Sequence, residues 1–199
     1  MLVGSAEERK LLNIGALYNR RILMNRIVDR QYGAEVMPVA LESDPVLHTS
    51  YMYTTTNPPT TVTDNFSEPT VGECRPSSGS GGVPGYYSYT CNNTCGRRWT
   101  IGEAMSPFGF QWNFRTRHKW QPFLDGHGGY MYSTQEIPVD HAGSFNFTFD
   151  FGAGIELFRT HARSIRAEYR FHHLSNADTA RENPGVDCGL FQLTYCFGH

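Results

Sequence analysis

A histidine, a serine and a carboxylate brought together can divide acyl transfer among a general base, a nucleophile and an orienting acid. The stretch 168–187, EYRFHHLSNADTARENPGVD, offers such a set. His173 and Ser175 stand two apart, Asn176 follows the serine, and Asp187 lies twelve residues past it. Asn183-Pro184-Gly185 is first of all a turn signal, shaping the loop that delivers Asp187. Glu182, in the middle of that loop, is the rival to Asp187 as orienting acid. No G-x-S-x-G elbow surrounds a candidate serine, which argues against an α/β-hydrolase. His172 beside His173 makes a poor metal pair, because adjacent strand residues point to opposite faces. His172 is expected instead in an interior charge network with Arg166, Glu168 and Arg170.

The elements that must position these groups are strands, since the recurring period is two. Residues 144–157, SFNFTFDFGAGIEL, show it most clearly. Phe145, Phe147, Phe149 and Phe151 face one way; Asn146, Thr148, Asp150 and Glu156 face the other. Similar alternation runs through 11–22, 101–114, 164–176 and 188–198, and less cleanly through 26–42 and 118–133, which makes seven candidate strands. On 164–176 the odd positions carry Ile165, Ala167, Tyr169 and Phe171, so His173 and Ser175 share their face. On the next strand Phe191, Leu193 and Tyr195 are odd, and that parity extended back puts Asp187 on the same side. The two strands are neighbours across a hairpin. The base, the hydroxyl and the acid therefore converge on one apolar face near the long-loop rim.

Short connections fall near Met24–Asn25, at Arg115–Arg117 and at Thr160–Arg163; longer ones span 43–98, 134–143 and 177–187. Strands of about ten residues, apolar on one side and polar on the other, with short turns below and long loops above, describe a transmembrane β-barrel of outer-membrane type. A soluble barrel has the same period but buries its apolar side chains. Four phenylalanines in line opposite Asn, Thr and Asp favour lipid outside. The expected fold is all-β, an antiparallel up-and-down transmembrane barrel of about eight strands. Seven visible strands, with Met1–Arg9 on the long-loop side, lead to the expectation that a first strand and a signal peptide are missing from this chain. The segment 43–98, rich in Thr, Ser, Pro and Gly, is expected to be a mobile surface loop of the single domain. Its Tyr51, Tyr53, Tyr86, Tyr87 and Tyr89 either touch a ligand at the surface or pack.

Composition agrees. Of 199 residues 18% are charged and 14% aromatic, with 20 glycines and a net charge of −2. Low charge and many glycines suit tight-turned β structure, and no basic run suggests nucleic acid as a partner. No stretch approaches the roughly 18 apolar residues of a membrane helix. The start, MLVGSAEERKLL, carries charge where a signal peptide needs its apolar core. Five cysteines, Cys74, Cys91, Cys95, Cys188 and Cys196, are an odd count. CNNTC has metal-ligand spacing but lacks a second pair; a disulfide formed in an oxidising compartment, with one thiol left over, is the expectation. No metal or cofactor is implied.

HLSN followed by NPGVD resembles the signature of the lipid A 3-O-deacylase family, also called acyloxyacyl hydrolases, in which His-x-Ser-Asn is followed by Asn-x-Gly and an acid. The resemblance implies Ser175 as nucleophile, His173 as general base, Asp187 orienting the imidazole, and Asn176 helping to bind the oxyanion, with Asn183 and Gly185 in support. It implies removal of the ester-linked 3-hydroxyacyl chain at position 3 of lipid A, in the bacterial outer membrane, with lipopolysaccharide as substrate. One departure is that a member with a defined triad has glutamate where this chain has Asp187, a methylene shorter. A homodimer is compatible with the sequence, which does not decide it. Two other classes compete: a non-catalytic adhesin or structural barrel binding partners through 43–98, and a soluble lipocalin-like binder.

Overall fold

The computed structural model describes residues 4–160 and 162–198. Met1–Val3 of the N-terminal stretch, and His161 in the turn expected at Thr160–Arg163, lie outside the described residues. The strands are β1 (Lys10–Met24), β2 (Val28–Thr56), β3 (Pro59–Pro69), β4 (Ser77–Val83), β5 (Tyr87–Phe114), β6 (Trp120–Ser133), β7 (Phe145–Thr160), β8 (Arg163–Ser175) and β9 (Val186–Phe197). They form one antiparallel sheet in the order β1-β2-β5-β6-β7-β8-β9, with β3 added beside β2 and β4 beside β5. The seven strands of the main path fall on the seven segments with a two-residue period.

The burial of those strands is the reverse of a water-soluble protein's. On β7 the exposed residues are Phe145, Phe147, Phe149 and Phe151, while Asn146, Thr148 and Asp150 are buried. Inside, charged groups satisfy one another. Arg170 binds Glu35 at 2.8 Å and Asp125 at 3.3 Å and also meets Glu168; Arg166 meets Glu156 at 3.3 Å, which in turn accepts from Asn113 at 2.6 Å. Buried charges persist only when paired and hydrogen-bonded in this way. His172 does face this interior, but its partner is Asp150, at 2.5 Å, and not the Arg166–Glu168–Arg170 set. A polar lumen inside an apolar exterior is the arrangement of a barrel wall in lipid.

The wall is not closed. β1 and β9 both run from the long-loop rim toward the short turns, and among the described residues neither has a strand on its outer edge. Only the rim is bridged: Ala6 pairs with Val186 in parallel, and the amides of Ser5 and Ala6 donate to the carbonyls of Pro184 and Gly185 at 2.6 and 3.1 Å. Below lies a cleft of about 1030 Å³ between the two edges, open to Glu35, Glu156 and Arg166. The eighth strand expected from parity has no counterpart among the described residues.

Residues 43–98 differ from a loop. β2 continues to Thr56 and β5 begins at Tyr87, paired without a register shift from Ala40–Gly102 up to Thr55–Tyr87. With β3 and β4 on their edges they form a four-stranded sheet beyond the barrel rim. Thr, Tyr and Val suit a pleated surface, and each segment finds an edge to pair with, which composition alone does not reveal. Tyr51 stacks on Tyr89 (centroids 5.8 Å apart) and Tyr53 on Tyr87 (5.4 Å), so these four rings pack on one another. Cys95 is bridged to Cys74, while Cys91, Cys188 and Cys196 are free thiols. Three thiols remain rather than one, because Cys188 and Cys196 stand eight apart on a single strand.

Where the sheet leaves the barrel, above the end of β6 at Ser133, Glu42 and Asp44 lie buried on β2. Arg9 meets Asp44 at 3.1 Å and donates to the carbonyls of Glu7, Thr70, Val71 and Pro138, tying four segments together. Arg98 reaches Asp44 at 3.5 Å. Burial, and then the Asp44 carboxylate, push the Glu42 acid from its ordinary 4.5 up to about 8, against the pull of Arg9 and Arg98. A folded-state value above the unfolded one means that the folded chain keeps a proton the unfolded chain has lost. Stability from this group is complete below about pH 4.5 and is lost as pH rises toward 8. Glu42→Gln is therefore expected to raise stability above pH 8 by up to about 5 kcal/mol, the rise from 4.5 to about 8 counted at about 1.4 per pKa unit, and to change it little at pH 4. Urea unfolding of parent and variant at both pH values checks this; parallel pH profiles would refute it.

Candidate active site

β8 delivers its last outward residues in sequence: Tyr169 and Phe171 exposed, then His173 and Ser175 buried. The sheet sets their neighbours. Phe147 pairs with Ser175, Phe149 with His173, and on the other side His173 is the direct cross-strand partner of Asp187. Direct partners place their Cβ atoms about 5 Å apart, so an aspartate spans the gap that its missing methylene had put in question. His173 Nδ1 and Asp187 Oδ1 lie 2.6 Å apart. Glu182 takes another part: its carbonyl accepts from Asn176 and its amide donates to the His141 carbonyl.

The hairpin loop 176–185 is held by local polar bonds. Ala177 and Asp178 have positive φ, 53° and 61°, and Thr179 closes the turn back onto the Asn176 carbonyl. Gly185, at φ +62°, turns the chain into β9 so that Asp187 presents its carboxylate to His173. Asn183 sits at the centre. Its Oδ1 accepts from Ser175 Oγ at 2.9 Å and from the Asn176 amide at 3.2 Å, and its Nδ2 donates to Asp178 at 2.9 Å.

Asn176 Nδ2 is committed elsewhere, donating to the carbonyls of Ala142 and Glu182 at 2.6 and 2.7 Å. Its amide thereby locks the hairpin loop to the neighbouring loop between β6 and β7. The donor that does reach Ser175 Oγ is the backbone amide of Ala177, at 3.1 Å. Among the described residues no hydrogen bond joins Ser175 to His173.

Asp187 has a second partner that sequence reasoning did not supply. The amide of Gly4 donates to Asp187 Oδ2 at 2.8 Å. A Cβ on Gly4 would meet the Asp187 amide at 2.8 Å and the Gly185 and Val186 carbonyl carbons at 2.9 Å, so only glycine allows that approach. A lone glycine 183 residues away gives no sequence signal of such a contact.

The arrangement is thus a carboxylate held from two sides, an imidazole whose Nδ1 it occupies, and a hydroxyl two residues along the same face. The imidazole's Nε2 is left to exchange a proton with whatever lies above it. The aromatic ring of Phe149 and the exposed ring of Phe171 border the set on its outward side.

A family model described as lipid A 3-O-deacylase (PagL) matches residues 73–195, which run from the segment before β4 through the site and into β9. No curated protein and no solved structure matches the chain.

Proposed function

The chain belongs to the lipid A 3-O-deacylase family, and we propose that it is an outer-membrane esterase that removes the 3-hydroxyacyl chain from position 3 of lipid A with Ser175 as nucleophile. The observation that carries the proposal is the cross-strand pair of His173 and Asp187 at 2.6 Å, beside a serine on the same lipid-facing side of β8. An ester in the outer leaflet arrives at that face from the lipid, with no passage through the lumen.

In the reaction Ser175 Oγ exchanges its bond to Asn183 for one to His173 Nε2; such bonds are commonly loose in the free enzyme and tighten with substrate. Oγ then attacks the ester carbonyl as its proton passes to Nε2. Asp187 stabilises the resulting imidazolium through Nδ1. The Ala177 amide, already within hydrogen-bond distance of Oγ, is the donor best placed for the oxyanion, and one such donor is worth about 10²–10³ in rate. Collapse expels the sugar oxygen, which takes the proton from His173. Water, deprotonated by the same imidazole, attacks the acyl-serine; collapse breaks the bond to Ser175 Oγ, which takes the proton back from His173, and the 3-hydroxy fatty acid is released. Asn176 and Asn183 hold the loop that carries these groups, and Gly185 sets its exit.

Mass spectrometry of lipid A after incubation with the detergent-refolded protein tests the proposal. Loss of one 3-hydroxyacyl mass, with the free fatty acid appearing in equal amount, is the expected result. Unchanged lipid A beside a folded barrel would transfer the weight to a non-catalytic binding barrel.

A further inference from the structure

The outward face of β6 carries glycine where its neighbours carry phenylalanine. Leu124, Gly126, Gly128 and Tyr130 share that face. Gly128 is paired with Phe108 of β5 on one side and Phe149 of β7 on the other; Gly126 is paired with Phe110 and Phe151. All four rings are exposed, Phe108 by 69%. A Cβ on Gly128 would meet no atom within 4 Å, and one on Gly126 only the Asp150 carbonyl oxygen, at 3.5 Å. Other glycines of the sheet are covered: the ring of Tyr169 lies over Gly189 and that of Tyr89 over Gly81. Over Gly126 and Gly128 no ring has folded. What results is a trough with a floor of bare backbone and a wall of two phenylalanines on each side, running along β6.

The trough is wholly apolar on the lipid-facing wall, and it is continuous with the candidate active site. Phe108, Gly128, Phe149, His173 and Asp187 form one row across five strands, so Phe149 is both a wall of the trough and the neighbour of the imidazole. Two strand spacings, roughly 10 Å, separate Gly128 from His173. That distance is too great for the chain whose ester is being cleaved, but suits another chain of the same multiply acylated lipid. We propose that Gly126 and Gly128 form an acyl-chain seat that holds a second acyl chain of the lipid A molecule presented to Ser175, an inference that rests on the esterase proposal. Lipid tails are as apolar as the wall, so the seat gains little from the hydrophobic effect. It works by close contact with bare backbone, as small residues do between membrane helices, and that contact holds the bound lipid.

Gly128→Leu fills the trough without a clash for its Cβ. Rates on lipid A in mixed micelles and on p-nitrophenyl butyrate, a short ester with no second chain, are compared in parent and variant. The ratio of kcat/KM for lipid A to that for the short ester is expected to fall by at least about tenfold, the low end of what one methylene decides in an apolar pocket, with the change mainly in KM. Gly128→Ala is expected to fall in between. An unchanged ratio overturns the seat, whether both rates hold or both drop together. Lipid A binding is read in parallel on the Ser175→Ala background, where Kd is expected to rise by a similar factor. A protein that binds lipid A, loses that binding in Gly128→Leu and never cleaves the lipid would refute the esterase and keep the seat. One that cleaves lipid A equally with either residue would refute the seat alone.

Discussion

Ser175→Ala is expected to lower the rate of lipid A deacylation by at least about four orders of magnitude, since removing the serine or the histidine of such a unit elsewhere costs about 10⁶ in kcat. The substitution removes one oxygen from a buried site. Structurally, it takes away two hydrogen bonds, one to Asn183 Oδ1, which keeps its bond from the Asn176 amide, and one from the Ala177 amide. Bonds of that kind are worth about 1 kcal/mol net each, too little to unfold a barrel. Fatty acid release, followed by mass spectrometry over hours, should therefore vanish while the thermal unfolding of the protein stays close to the parent's. Release persisting in the variant would leave the fold intact and place the nucleophile elsewhere.

Asp187→Asn is expected to cost roughly 10³–10⁴ in kcat, on the scale seen where the triad carboxylate is replaced by its amide. The amide turns an N–H toward Nδ1 or offers a neutral oxygen. In the first case the imidazole carries its proton on Nε2, where it must be an acceptor for Ser175. In the second the imidazolium loses its counter-charge. The Gly4 amide, which donates to Oδ2, favours an oxygen on that side and so steers the amide nitrogen toward His173. Asp187→Glu keeps the charge and adds the methylene seen in the related pattern, and it should recover more than half of the lost barrier. KM is expected to move less than threefold in either variant. Equal rates for Asp187→Asn and the parent would remove the acid from the mechanism.

Much of this was legible in the chain because a strand writes its environment in alternate letters. Phe145, Phe147, Phe149 and Phe151 against Asn146, Thr148 and Asp150 gave both the strand and its orientation, and the parity of Phe171 and Phe191 carried His173, Ser175 and Asp187 to one side. The segment 43–98 was not legible in this way. Its Thr, Ser and Tyr lie on both faces of a sheet exposed to water, where no apolar period develops, and its strands exist through the edges of β2 and β5. The use of the Asn176 side chain was hidden for another reason. An amide can serve a substrate or a neighbouring carbonyl equally well, and only the position of Ala142 decides it. Disulfide choice is a matter of distance: Cys95 found Cys74, its partner by approach and not by spacing. The trough on β6 is legible only in retrospect, since glycines in a strand become a groove only when their cross-strand neighbours are large.

His172 and His173 are adjacent, and each has an aspartate of its own: Asp150 in the lumen, Asp187 on the lipid side. The strand is therefore a reading frame with two phases. Loss or gain of one residue between Tyr169 and Ser175 would exchange the phases, sending His173 into the lumen and His172 to the outward face. A change of two would restore the order. In lineages descended from this chain, length changes in β8 should survive in pairs.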